Sequence, residues 1–260
     1  MRILVTFALE NEFAPWRSIR DFESARLGDA DVCLAEFGSA QLTVALTGVG
    51  ARRAAMTASK IMDREYGSFD CCISSGLAGG LRDHYRIGEV LAARRVFSQA
   101  PRVDERSQLL ESSGALVSFA ADCGATVADQ FFSADHIVSG ADEKQLLGKD
   151  SDAVEMESFE ILRESQAVGV PAIAIRALSD TSAEDLPIDM SRVFSERGQV
   201  SIPRVMGQVA LNPQSLPGLI RLGKNSGIAA QSLARFLDRY VGTLASQALR
   251  LETKTSSVAV

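Results

Sequence analysis

The 260-residue chain carries 27 Lys and Arg against 33 Asp and Glu, a formal net charge of −6. That balance leaves no basic footprint for nucleic acid, so an anionic substrate would need a local patch rather than the overall field. A hydrophobic fraction of 46% and a charged fraction of 23% are ordinary for a soluble protein, and the length suits one large α/β domain or two small ones.

At the N-terminus, Met1 and Arg2 lead into an apolar run at residues 3–8. Glu10 and Glu12 end it too early for a signal peptide. No stretch approaches the roughly 20 apolar residues of a spanning helix. Cys33, Cys71, Cys72 and Cys123 have neither CxxC spacing nor the pattern of a small secreted framework, which reads as reduced thiols in a cytoplasmic protein. His84 and His136 lie far apart with no metal-ligand pattern around them, so no metal is expected.

Strands are predicted at residues 3–8, 32–37, 42–47, 71–74, 90–96 and 172–177, short apolar runs that suit a sheet buried on both faces. Cys71 and Cys72 belong to one of these runs and read as core. Gly38-Ser39-Ala40-Gln41 joins two runs as a hairpin. Helices are predicted at residues 51–66 and 156–168, the second stopping near Gly169. The result is a mixed sheet with helices on both sides. From about Asp189 the character changes. Pro203, Pro213 and Pro217 punctuate helical segments at residues 202–211, 216–225 and 229–249, and residues 252–260 are Thr/Ser-rich and expected to fray. The domain reading is an α/β unit over residues 1–200, a helical extension packed on it over 201–250, and a frayed tail over 251–260.

Four motifs bear on chemistry. Gly48-Val49-Gly50 lies between a strand and a helix, but Arg53 occupies the third glycine position of a dinucleotide fingerprint. Tight strand-to-helix packing explains it as well as a ligand does. Ser74 to Leu81, with Gly76, Leu77, Ala78, Gly79 and Gly80, follows a strand. It is either a turn that needs positive φ or a loop whose backbone approaches a ligand. Glu155-Met156-Glu157 is either a solvated helix N-terminus or a pair of acids facing a cleft. Ser179-Asp180 ends a buried strand, as an N-cap or as a ligand-facing acid where open α/β sheets place ligands.

Together with Phe7-Ala8-Leu9-Glu10-Asn11-Glu12, these motifs in this order resemble the nucleoside phosphorylase/nucleosidase superfamily, nearest its methylthioadenosine/S-adenosylhomocysteine nucleosidase side, over residues 1 to about 185. The resemblance implies a three-layer α/β/α sandwich with a central mixed sheet, assembled as a homodimer or higher homo-oligomer. The activity it implies is cleavage of the N-glycosidic bond of a purine nucleoside. Carried over residue by residue, Asp180 resembles the acid at N7 of the departing purine, oriented by Ser179. Glu157 and Met156 resemble the ribose-holding pair, beside Glu155, and Glu12 the residue that activates water. Gly76, Leu77, Ala78 and Gly79 form the ligand-facing loop, and Ile137 and Val138 line the base pocket. To donate near pH 7, Asp180 would need a pKa raised by burial or by the base itself.

Phosphorylases of this superfamily carry an Arg and a Ser or Thr where this chain has Ser74 and Leu77, which supply neither charge nor, at Leu77, a hydroxyl. Water is therefore favoured over phosphate as nucleophile, with phosphate the alternative co-substrate and no cofactor. Leu77 also departs from the nucleosidases. Ser-x-Gly-Leu-Ala-Gly-Gly-Leu and the C-terminal extension resemble the hopanoid-associated phosphorylase branch, linked to removal of adenine from adenosylhopane. Supporting that branch, residues 197–200 lead through 212–217 to Leu219-Ile220-Arg221-Leu222. Beyond them Leu233, Phe236, Leu237, Tyr240, Val241 and Leu244 recur near helical spacing beside Arg235 and Arg239. Such a helix packs on its own domain or a second subunit, or makes peripheral contact with a membrane or lipid-linked substrate. The competing functional class is a nucleoside sensor on the same fold with its chemistry lost. The survival of Glu12, Glu157 and Asp180 together argues against it.

Overall fold

Apolar runs without polar alternation need cover on both faces, and all six strands expected from such runs form. The computed structural model describes residues 1–63, 68–99, 109–189, 192–193 and 201–257, with side chains through residue 246. In chain order the elements are β1 (Arg2–Phe7), α1 (Glu10–Arg17), β2 (Glu23–Leu27), β3 (Ala30–Phe37), β4 (Ala40–Leu46), α2 (Ala51–Ile61), β5 (Cys71–Gly80), β6 (Val90–Phe97) and β7 (Leu109–Glu111). They continue with α3 (Gly114–Asp122), β8 (Thr126–Ser133), α4 (Ala141–Leu147), β9 (Ala153–Glu155), α5 (Ser158–Ala167), β10 (Ala172–Asp180), α6 (Ile202–Leu211) and α7 (Leu216–Ser257).

One mixed sheet holds the strands in the order β10-β6-β8-β9-β5-β1-β4-β3-β2. β1, β4, β5 and β10 are mutually parallel, while β3 pairs antiparallel with β4 through the expected hairpin. β10 also pairs with β5, so β5, β9, β8, β6 and β10 close on themselves, β7 pairs with β6, and β1, β4, β3 and β2 form an open wing. Alternate residues of β5 serve opposite faces. Cys71 and Ile73 join a core with α1, α3 and α7, and Cys72 joins one with α2 and α5. These are the three layers. The cysteines are unpaired and, as expected, those of β5 are core; burial pushes both thiols up to about 12.

Three expectations change. The glycine segment after residue 74 is not a loop, because β5 runs on through Gly80 in register with β10 and β9. The two segments expected at 216–225 and 229–249 are one helix, α7, which runs through Ser257; residues 258–260 of the expected tail lie outside the described residues. Leu233, Phe236, Leu237, Tyr240 and Val241 are at most 3% exposed and pack into the core with Phe13, Trp16 and Phe37. These residues are not a membrane-facing surface. Trp16 Nε1 and the Arg20 guanidinium both donate to Asp238, clamping α7 to α1. The second half of the expected 51–66 helix and residues 197–200 fall partly or wholly outside the described residues.

Candidate active site

Most side chains singled out from sequence come from the turn after β1, the last residues of β5 and β10, and the end of β9, which runs antiparallel to β5. After β1, the chain turns into α1 with Glu12 in the first turn. Its Oε2 reaches back to accept the Ala8 and Leu9 amides at 3.0 and 2.9 Å, and its Oε1 accepts the Leu77 amide at 2.9 Å. Three amides thus fix one carboxylate. Burial still raises its pKa above the ordinary carboxylate value, against the pull of those amides and of Arg176. Gly76 explains itself here. Its φ is +151°, and a Cβ added to it would stand 3.0 Å from Glu12 Oε1. The glycine makes room for the carboxylate as well as for the backbone.

The Glu-Met-Glu segment sorts into two roles. Glu155 Oε2 accepts the Glu157 and Ser158 amides at 2.9 and 2.7 Å and the Arg176 guanidinium at 2.6 Å. These three donors engage Oε2 alone and hold the start of α5; Oε1 is buried without a hydrogen-bond partner among the described residues, and the residue lines the cleft. Glu157 is held more lightly. The Gly50 amide donates to Oε1 at 2.8 Å, and Arg176 stands 3.7 Å from Oε2. Burial, with the Glu155 charge beside it, lifts its pKa to about 7. Gly50, at φ +99°, caps α2 and aims its amide at Glu157. The Gly-Val-Gly motif therefore serves the site through a carboxylate and not through a dinucleotide.

The end of β10 carries Ser179 and Asp180. The Ser179 hydroxyl donates to Asp180 Oδ2 at 2.9 Å, and the Lys144 ammonium from α4 donates to Oδ1. A fully buried cation therefore touches Asp180. A Cβ on Gly79 would lie 3.0 Å from Asp180 Oδ1, so this glycine too makes room for an acid.

Glu12, Glu157 and Asp180 share a cleft of about 220 Å³ with Glu155, Met156, Ser179, Leu77, Ala78, Gly79, Ile137 and Val138. Gly76 stands behind Glu12. Val49, Leu186, Leu222 and Ser226 complete the wall, the last two from α7. His136 is at the rim, where Asp135 and then Glu143 raise its pKa. Sequence reasoning misses Lys144, which sits in a polar stretch of α4 with no local sign of burial. It also passes over Arg176, 1% exposed and bonded to Glu155 and Ser74. An arginine inside an otherwise apolar strand is a signal that could have been used, since such a charge must find buried acids. Ser74, at one of the positions where phosphorylases place a phosphate ligand, is occupied with Ser158 and Arg176.

The family model of the phosphorylase superfamily matches residues 2–205. The chain belongs to the phosphorylase superfamily. A comparison with curated protein sequences returns no match. Among solved structures, futalosine hydrolase of Helicobacter pylori is 20% identical with a TM-score of 0.71, covering 93% of this chain and 97% of that one. The 5′-methylthioadenosine/S-adenosylhomocysteine nucleosidase of Neisseria meningitidis, bound to methylthio-immucillin-A, is 22% identical with a TM-score of 0.71, covering 93% and 99%. The S-adenosylhomocysteine nucleosidase of Streptococcus pyogenes is 20% identical at 0.71, covering 94% and 97%. At these identities the likeness to these structures shows a shared fold, and the family rests on the match over residues 2–205.

Proposed function

We propose that this superfamily member cleaves the N-glycosidic bond of an adenosine-type nucleoside with a modified, apolar 5′ group, using water as nucleophile. The observation that carries the reading is the convergence of three carboxylates with different surroundings on one cleft. Breaking C1′–N9 leaves positive charge on the sugar and negative charge on the base. Glu12, aimed by three amides, takes the proton of the attacking water. Glu157, lightly held and near Arg176, accepts the ribose hydroxyls and faces the developing positive charge, with Met156 against the sugar. Asp180 and Ser179 meet the purine at N7, between Ile137 and Val138. Leu77 and the occupied Ser74 speak against a phosphate dianion as the nucleophile.

The 5′ preference rests on the ground beside the cleft. A hollow of about 620 Å³ shares Ala8 and Leu9 with it and is walled by Leu46, Met56 and Ile202 together with the polar Glu10, Asn11, Arg53 and Lys60. Along α6 and the start of α7, Ile202, Met206, Leu211 and Ile220 are 59–88% exposed. Adenosylhopane has a 5′ group that would use such a surface, and peripheral contact with a membrane would run through α6 rather than the buried face of α7. A cytoplasmic location and a homo-oligomeric state belong to the same proposal. No described helix is long and apolar enough to cross a membrane.

Adenine release from a panel of 5′-substituted adenosines, with and without phosphate, tests the reading. Release without phosphate, faster as the 5′ group becomes more apolar, is expected. Strict phosphate dependence would overturn the choice of water, and no release from any member would leave a nucleoside sensor.

A further inference from the structure

Lys144 is fully buried, and its ammonium is surrounded by Asp180 Oδ1, the Thr181 carbonyl at 3.2 Å and the Glu184 carbonyl at 2.8 Å. Three hydrogens meet three acceptors; a neutral amine would leave one oxygen without a donor. Asp180 Oδ1 accepts from Lys144, while Oδ2 meets the Ser179 hydroxyl, whose single hydrogen also lies within 3.3 Å reach of the Ala78 carbonyl. Other charged groups close by, Glu184 and Asp185 among them, present a backbone carbonyl to Lys144 or bond elsewhere.

We propose that Lys144 is a positioning residue for departure of the base: it sets the Asp180 carboxylate against the purine and replenishes the proton that Asp180 delivers. The proposal rests on the nucleosidase reading above. As C1′–N9 breaks, its electron pair stays on N9. N7 takes a proton from the Asp180 carboxyl, which draws one from the Lys144 ammonium. The hydroxide equivalent of the attacking water joins C1′ and its proton goes to Glu12. After adenine leaves, Glu12 releases that proton to solvent and Lys144 takes one up, so the count closes. Lys144 touches neither substrate nor reacting atoms; it acts through Asp180.

The test compares two substrates. Adenine is a leaving group that needs a proton, while 4-nitrophenolate leaves a riboside without one. In Lys144→Met, adenine release from 5′-methylthioadenosine is expected to fall about 100-fold, a typical size for general acid catalysis. Nitrophenolate release from 4-nitrophenyl β-ribofuranoside should stay within about threefold of wild type on the same grounds. Lys144→Arg, which keeps charge and donors, should recover part of the adenine rate. If Lys144→Met does not fold by near-ultraviolet circular dichroism, Lys144→Gln is read the same way.

Equal losses on both substrates, or an unchanged adenine rate, overturn the proposal while leaving the nucleosidase reading in place. A wild type that releases neither product removes both. If wild type cleaves only the purine substrate, a loss confined to kcat supports the proposal and a loss confined to KM overturns it.

Discussion

At the scale of single residues, the site is an exercise in burying acids beside chosen donors. Glu157 has the weakest set, and its pKa is raised to about 7 by burial and by Glu155. As the ribose ligand it must be ionised, so kcat/KM should fall as pH drops below about 7, by about tenfold per unit if this group alone titrates. Glu157→Gln should flatten that limb at a much lower rate. Stability follows the opposite sense. A carboxyl whose folded pKa is raised is favoured protonated in the fold, so its contribution is present below its ordinary value and lost as pH rises through about 7. Wild-type Tm should therefore drop more between pH 5 and 8 than that of Glu157→Gln, and equal slopes would contradict the assignment. Gly76→Ala places a Cβ 3.0 Å from Glu12 Oε1 at a φ that disfavours side chains. A misplaced Glu12 should cost at least about 100-fold in turnover with the fold retained, measured by initial rates beside circular dichroism.

At the scale of elements, the short apolar runs were legible because burial on both faces leaves a plain signature. β2, β7, β8 and β9 were not, β8 because Thr126, Asp129 and Gln130 break up its apolar residues. β2 is a polar edge strand, while β7 and β9 are three residues each and exist only because longer neighbours pair with them. β5 was read too short because glycine usually ends strands, yet here Gly76 and Gly79 clear space for Glu12 and Asp180 within one. The acids themselves were visible as motifs. Their donors were not, because Lys144, Gly50 and Ser158 reach them across 36 to 107 residues of chain or through backbone amides. α7 offers a direct check on element packing. Leu237 is fully buried against the α1 side of the core, so Leu237→Ala should cost about 2–5 kcal/mol in urea unfolding. A cost below about 1 kcal/mol would fit an appended helix, not one built into the core.

At the scale of the molecule, the proposed activity asks an acidic protein to bind a largely uncharged nucleoside through shape and a few carboxylates. The sheet closes where β10 meets β5, bringing Asp180 beside Gly79 and, through β9, Glu155 and Glu157 beside both. No period or composition announces that closure; it depends on pairings between distant strands. It is nevertheless what turns separate strand ends into one cleft. The central claim, cleavage of C1′–N9 by this cleft, is tested most directly by the time course of free adenine from one 5′-alkylthioadenosine in phosphate-free buffer, with wild type and Asp180→Asn side by side. Steady adenine release by wild type and a rate lower by about 1,000-fold in the folded variant are predicted. An Asp180→Asn protein that matches the wild-type rate would contradict the account.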